Sequence, residues 1–137
     1  METMPETTTI SKNKTINTTS LVTVAAENVY NHLGSGYDVR IYQRAIGLEL
    51  DAFKIPYSRD LKIDLVYRQQ PIGQKEVDFV VDDLMVLVRA QGCLDVQDEI
   101  QASTFLRATT CKAVLVLNFG GNRFEFRHIQ PTEYADY

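Results

Sequence analysis

The chain has 137 residues, enough for one domain with one core, and 45% of them are hydrophobic against 23% charged, the balance of a soluble globular protein. Its net charge is −4, and because Glu2 and Glu6 cancel Lys12 and Lys14, the deficit lies wholly in residues 21–137. That argues against a protein built mainly to neutralise a phosphate backbone. No apolar run approaches the roughly 18 residues of a membrane span.

The N-terminal stretch "METMPETTTISKNKTINTTS" lacks the apolar stretch of a secretory signal. Its polarity predicts a flexible arm over residues 1–20, or a segment ordered only against a partner. A domain over residues 21–130 and a short tail, 131–137, follow. Cys93 and Cys111 have no metal-ligand or redox spacing and are expected as two buried free thiols, consistent with a cytoplasmic location.

The periodicity then sets out the elements in order. Thr23 can cap a helix whose stripe is Val24, Ala25, Val29, Tyr30 and Leu33, stopped by Gly34-Ser35-Gly36. A second helix covers about Asp38–Phe53, with Ile41, Tyr42, Ala45, Ile46, Leu50 and Phe53 at helical spacing. "LKIDLVYR" alternates with period two and reads as a strand, and "QQPIG" as a turn. Glu76–Val81 and Leu84–Ala90 form the next two strands around an Asp82-Asp83 turn. "DVQDEIQASTFLRAT" is a helix with Val96, Ile100, Thr104 and Leu106 expected inside. "KAVLVLNF" is almost wholly apolar, as in a strand buried on both faces and reached by a helical crossover. "RFEFRHI" closes the order ααβββαββ, an α/β (α+β) fold with a mixed sheet flanked by helices.

The segments "LGSGYDVRIYQRAIGLEL", "VDFVVDDLMVLVRA", "EIQASTFLRAT" and "AVLVLNFGGNRFEFRHI" resemble, in order and spacing, the GxxExxY proteins, over about residues 22–129. That family is similar to the PD-(D/E)xK nucleases. Active members of the superfamily use a helix Glu, a strand Asp and an acid-x-Lys pair on the following strand, with a supporting Gln on the next helix. The carboxylates hold a divalent ion such as Mg²⁺, which polarises the phosphate, and the Lys assists the attacking water or the charged transition state.

The resemblance places the motif Gly on Gly36 and the motif Tyr on Tyr42, but the helix Glu on Val39. Asp38 is adjacent, turned away by about 100° along a helix. The strand Asp falls on Asp78, the acid-x-Lys pair on Leu87 and Arg89, and the Gln on Gln101. An ungapped placement would put the pair on Val88 and Ala90, which restores neither group. A two-residue turn sets Val81 against Leu84 and Asp78 against Leu87, so Glu76, Asp78, Leu87 and Arg89 are expected on one face.

Asp78 is expected as a residual acid paired with Arg89 or with an amide such as Gln101. A metal site with Glu76, or a solvent-facing position, is the other way to read it. Arg89 stays protonated and is a poor base. His32 and His128 have no ligand partners at spacing and read as ordinary packing or surface residues.

The sequence therefore points to a nuclease-like domain with no intact catalytic set and no cofactor. It would serve as a structural or interaction subunit, with a protein partner or a second copy meeting the arm and the surface. One alternative is a Mg²⁺-dependent nuclease rebuilt from Asp78, Glu76 and Asp38. Another is a non-catalytic nucleic-acid binder using Arg89, Arg107 and a basic edge of Lys54, Arg59, Lys62, Arg68 and Lys75.

Overall fold

Two helices open the described chain, α1 (Ile10–Leu33) and α2 (Val39–Ala52), followed by strands β1 (Ser58–Tyr67), β2 (Gln70–Val81) and β3 (Leu84–Arg89). Helix α3 (Val96–Arg107) then leads to β4 (Ala113–Asn118) and β5 (Glu125–Ile129). This is the order the periodicity predicts. The computed structural model describes residues 10–131, with the side chains from residue 18 onward. Residues 1–9 of the expected arm and 132–137 of the expected tail lie outside the described residues, whereas residues 10–20 are part of α1 and not a separate arm.

Helix α1 starts well before Thr23. That residue is not a cap; its hydroxyl donates to the Thr19 carbonyl at 2.8 Å, the back-bond open to a threonine inside a helix. Thr and Ser are indifferent helix formers, and a tertiary contact supports this part of α1. Thr18 is buried and donates to Asp82 Oδ2 at 2.9 Å in the β2–β3 turn. The helix ends at Gly34, which takes φ +72 and donates to the Tyr30 carbonyl at 2.8 Å, a left-handed ending that suits a residue with no Cβ. Asp38 caps α2, its Oδ1 accepting from the Arg40 N–H at 2.8 Å.

The strands form one sheet in the order β1-β2-β3-β4-β5. β3 and β4 are parallel, as the apolar run and its helical crossover require, and the other neighbours are antiparallel. Helices cover both faces. On one, α1 and α2 bury Val22, Ala25, Tyr42, Ile46 and Leu50 against Phe79, Val86, Leu115 and Phe119. On the other, α3 buries Ala102 and Leu106 against Val77, Met85, Leu87 and Val116. The Tyr42 ring stacks on Phe119 with centroids 4.6 Å apart, and its hydroxyl donates to the Gly34 carbonyl at 2.6 Å, so the buried phenol is satisfied.

Several sequence expectations shift. Val96 and Ile100 of α3 are exposed and Thr104 points outward, because the helix approaches the sheet along the small Ala102 and its neighbours Phe105 and Leu106. The turn is Arg68-Gln69, both at positive φ, while Pro71 lies in β2 opposite Val66. A strand proline is tolerated there because β3 pairs with β2 only over Phe79–Val81. Cys93 is exposed and Cys111 half-buried, both free. Among the described residues, no helix is long and apolar enough to cross a membrane.

Gly120 follows β4 where the chain crosses the end of β3. A Cβ there would lie 2.4 Å from backbone atoms of Ala90 and Gln91, which cannot swing aside as a side-chain tip can. Gly120→Ala should therefore lower unfolding free energy by about 2 kcal/mol, in the range of overpacking. Gly73→Ala, with nothing within 4 Å of the new methyl, should change it by less than about 0.5 kcal/mol. Urea unfolding of both variants checks the contrast.

Candidate functional site

Strict alternation would put Val77 and Phe79 on the same face of β2. Instead Val77 packs under α3 and Phe79 under α1 and α2. The same reversal occurs on β1: Arg59 lies over the Phe79 ring, 5.8 Å from its centroid, whereas Ile63 packs on the α3 side. Between them stand Asp60, at φ +56, and Asp78. Aspartate is among the residues that tolerate the left-handed region. Both strands therefore change face at this one level, with the β1–β2 register unchanged across it, since Arg59 faces Phe79 and Leu61 faces Val77.

The reversal fixes where Asp78 goes. The β2–β3 ladder runs Val81–Leu84, Val80–Met85, Phe79–Val86 and ends there. The next antiparallel bond would join Val88 N–H to the Val77 carbonyl. Asp78 Oδ2 takes that N–H instead, at 2.7 Å, and Oδ1 accepts from the Gln43 side-chain amide of α2. Asp78 thus turns towards α2, while Leu87 is buried under α3. The expectation that they face each other is corrected by this change of face.

The other expected residues are dispersed by the same geometry. Val39 packs against the α1/α2 core, so the sheet separates it from Leu87. Arg89 donates to Gln101 Oε1 on α3 at 2.7 Å and to the Val88 carbonyl at 3.2 Å. It acts on Asp78 through its charge, while the direct side-chain partner of Asp78 is Gln43, not Arg89 or Gln101. Glu76 is exposed and stands opposite Lys62. Asp38 holds the start of α2. Arg107 is exposed on α3. His128 lies 3.4 Å from the Thr19 hydroxyl, and burial holds its pKa below the usual histidine value.

Gln43 is the residue that the sequence reading missed. It stands on α2 one turn beyond Val39, and helical spacing from Val39 was the available signal. With Asp38, Arg40, Ile41, Arg44, Arg59 and Asp60 it lines a surface cleft of about 700 Å³. Arg59 Nε lies 3.5 Å from Asp60 Oδ2.

These residues do not fit a divalent ion. Mg²⁺ demands near-octahedral oxygen ligation, usually from carboxylates and water. Here both Asp78 oxygens accept hydrogen bonds and the adjoining side chain is an amide. Among the described residues, no three His, Cys, Asp or Glu side chains gather as a metal-holding group. Desolvation raises the Asp78 pKa, opposed by the Val88 N–H, the Gln43 amide and the Arg89 charge, with Asp60 adding a smaller upward push.

Comparison with known proteins decides the relationship. The family model described as the PD-(D/E)XK nuclease superfamily matches residues 16–129. The chain belongs to the PD-(D/E)XK nuclease superfamily. Its five-stranded mixed sheet with helices on both faces is consistent with that superfamily's core. The crystal structure of SSO0001 shares the fold at 10% sequence identity, with a TM-score of 0.53, over 70% of this chain and 52% of that one. This chain therefore spans about half the length of SSO0001. No curated protein matches the sequence.

The raised pKa has a consequence for stability. The native state holds the Asp78 proton more tightly than the unfolded chain does, so this carboxyl handicaps folding only when ionised. The handicap is absent below the ordinary value of 3.8, grows as pH rises through the raised native value, and is complete above it. Asp78→Asn keeps the shape and removes the titration. The stability of the Asn variant relative to the native protein should therefore rise with pH across that window, as measured by urea unfolding in a pH series.

Proposed function

We propose that this domain keeps the PD-(D/E)XK frame without nuclease chemistry and serves as a structural or interaction subunit of a larger protein assembly. The observation that carries the reading is the engagement of Asp78. Its two oxygens accept from the Val88 N–H and the Gln43 amide, which leaves it as a structural acceptor and not half of a metal site. Val39 and Leu87 stand where the resemblance to the GxxExxY proteins calls for acids, and both are packed into cores. Arg89 cannot take a proton from water at ordinary pH. The acidic balance favours a protein partner or a second copy, meeting the N-terminal segment and the exposed surface, and two free thiols suit a reducing cytoplasm.

End-labelled DNA and RNA incubated with the protein and Mg²⁺ or Mn²⁺ should stay intact. Cleavage that disappears in Asp78→Ala would overturn the reading and restore a rebuilt nuclease using Asp78 and Glu76.

One observation favours a second reading, a binder of nucleic acid without cleavage. Arg40, Arg44 and Arg59 line the cleft beside Gln43, and guanidinium groups suit phosphate. Under that reading, affinity for a labelled oligonucleotide falls steeply with salt and weakens in Arg44→Ala. Under the favoured reading, fluorescence anisotropy shows only weak binding, unchanged in that variant.

A further inference from the structure

β1 is the outer strand of the sheet and spans ten residues. Among the described residues, no strand pairs with its outer side. Beyond the Asp60–Asp78 level the β1–β2 ribbon also lacks a third strand, because β3 pairs with β2 only from Phe79 to Val81. A two-stranded ribbon by itself is marginally stable in water, and a long open edge is a template for another strand. The ribbon exposes apolar surface too: Leu61, Val66, Tyr67 and Ile72 are all exposed.

The pattern along this edge complements itself. Ile63 packs on the α3 side, and strand alternation sets Leu61 and Leu65 on that side with it, Ile63 and Leu65 being half-buried. Lys62 and Asp64 alternate on the other side, both exposed, and they flank Ile63 with opposite charges. We propose that a second copy of this chain pairs antiparallel along β1, about a two-fold axis through Ile63. This joins the two sheets into one.

In that register Ile63 meets its own copy, Leu61 meets the partner's Leu65, and Lys62 meets the partner's Asp64. Each contact occurs twice. Opposite charges directly across a strand pair stabilise it and like charges oppose it. A shift of the axis to Lys62 sets lysine against lysine, and a shift to Asp64 sets aspartate against aspartate, so the charges select Ile63. The left-handed residue at Asp60 interrupts the edge at one end of the paired stretch. The proposal stands apart from whether the domain cleaves nucleic acid.

The test is sedimentation velocity across a concentration series into the high micromolar range. The native protein should form a species of twice the 15.6 kDa chain mass. Lys62→Glu sets acid against acid, and Asp64→Lys sets base against base. Each single variant should therefore sediment as a monomer while keeping the native circular dichroism spectrum. Mixing the two should restore the dimer, since each then offers the charge that the other lacks. A native protein that stays monomeric, single variants that dimerise as the native protein does, or a mixture that stays monomeric would each overturn the proposal.

Discussion

The Asp78 carboxylate organises the middle of this molecule by taking a backbone hydrogen bond that the sheet would otherwise supply. Val88 N–H needs an acceptor, and a buried amide left without one is costly. With Asp78 Oδ2 as acceptor, β2 is free to leave β3 after Phe79. Gln43 completes the arrangement from α2. Burial makes the charged form of Asp78 less favourable, while the two hydrogen bonds and the Arg89 charge offset part of that cost.

Much of the architecture follows from this junction. Because both β1 and β2 change face at the Asp60–Asp78 level, Phe79 and Arg59 serve the α1/α2 side, whereas Val77 and Ile63 serve the α3 side. Each helical layer thus receives apolar residues from a ribbon that crosses between them. Past the junction the ribbon runs on as two strands with an open edge. Asp78 is engaged by two hydrogen bonds at the same level at which the ribbon parts from β3.

The packing around the junction shows what the superfamily frame rests on in this chain. The fold depends on two apolar layers and a parallel β3–β4 pair, none of which needs a carboxylate. Val39 and Leu87 pack into those layers, one on each side of the sheet. Fold-level kinship therefore carries the frame, and chemistry has to be argued from the side chains standing in it.

Element type and order were legible in the sequence because they rest on local periodicity: Tyr42, Ile46 and Leu50 at helical spacing, the continuous apolar run of β4, and the Asp82-Asp83 turn that fixes Val81 against Leu84. The run of α1 through Thr18 was not legible, since Thr18, Thr19 and Ser20 are weak helix formers and Thr18 is held by a contact with Asp82, 64 residues away. The exposure of Val96 and Ile100 was likewise hidden, because which stripe of α3 turns inward depends on how closely Ala102 lets it approach the sheet. At the candidate site, the sequence alone determined that Val39, Leu87 and Arg89 are the residues the resemblance sets at the acid and lysine positions of a nuclease. Only the tertiary structure decided that Asp78 turns to Gln43 and away from Leu87, because a change of face lies in the path of two paired strands and strict alternation along either one cannot reveal it.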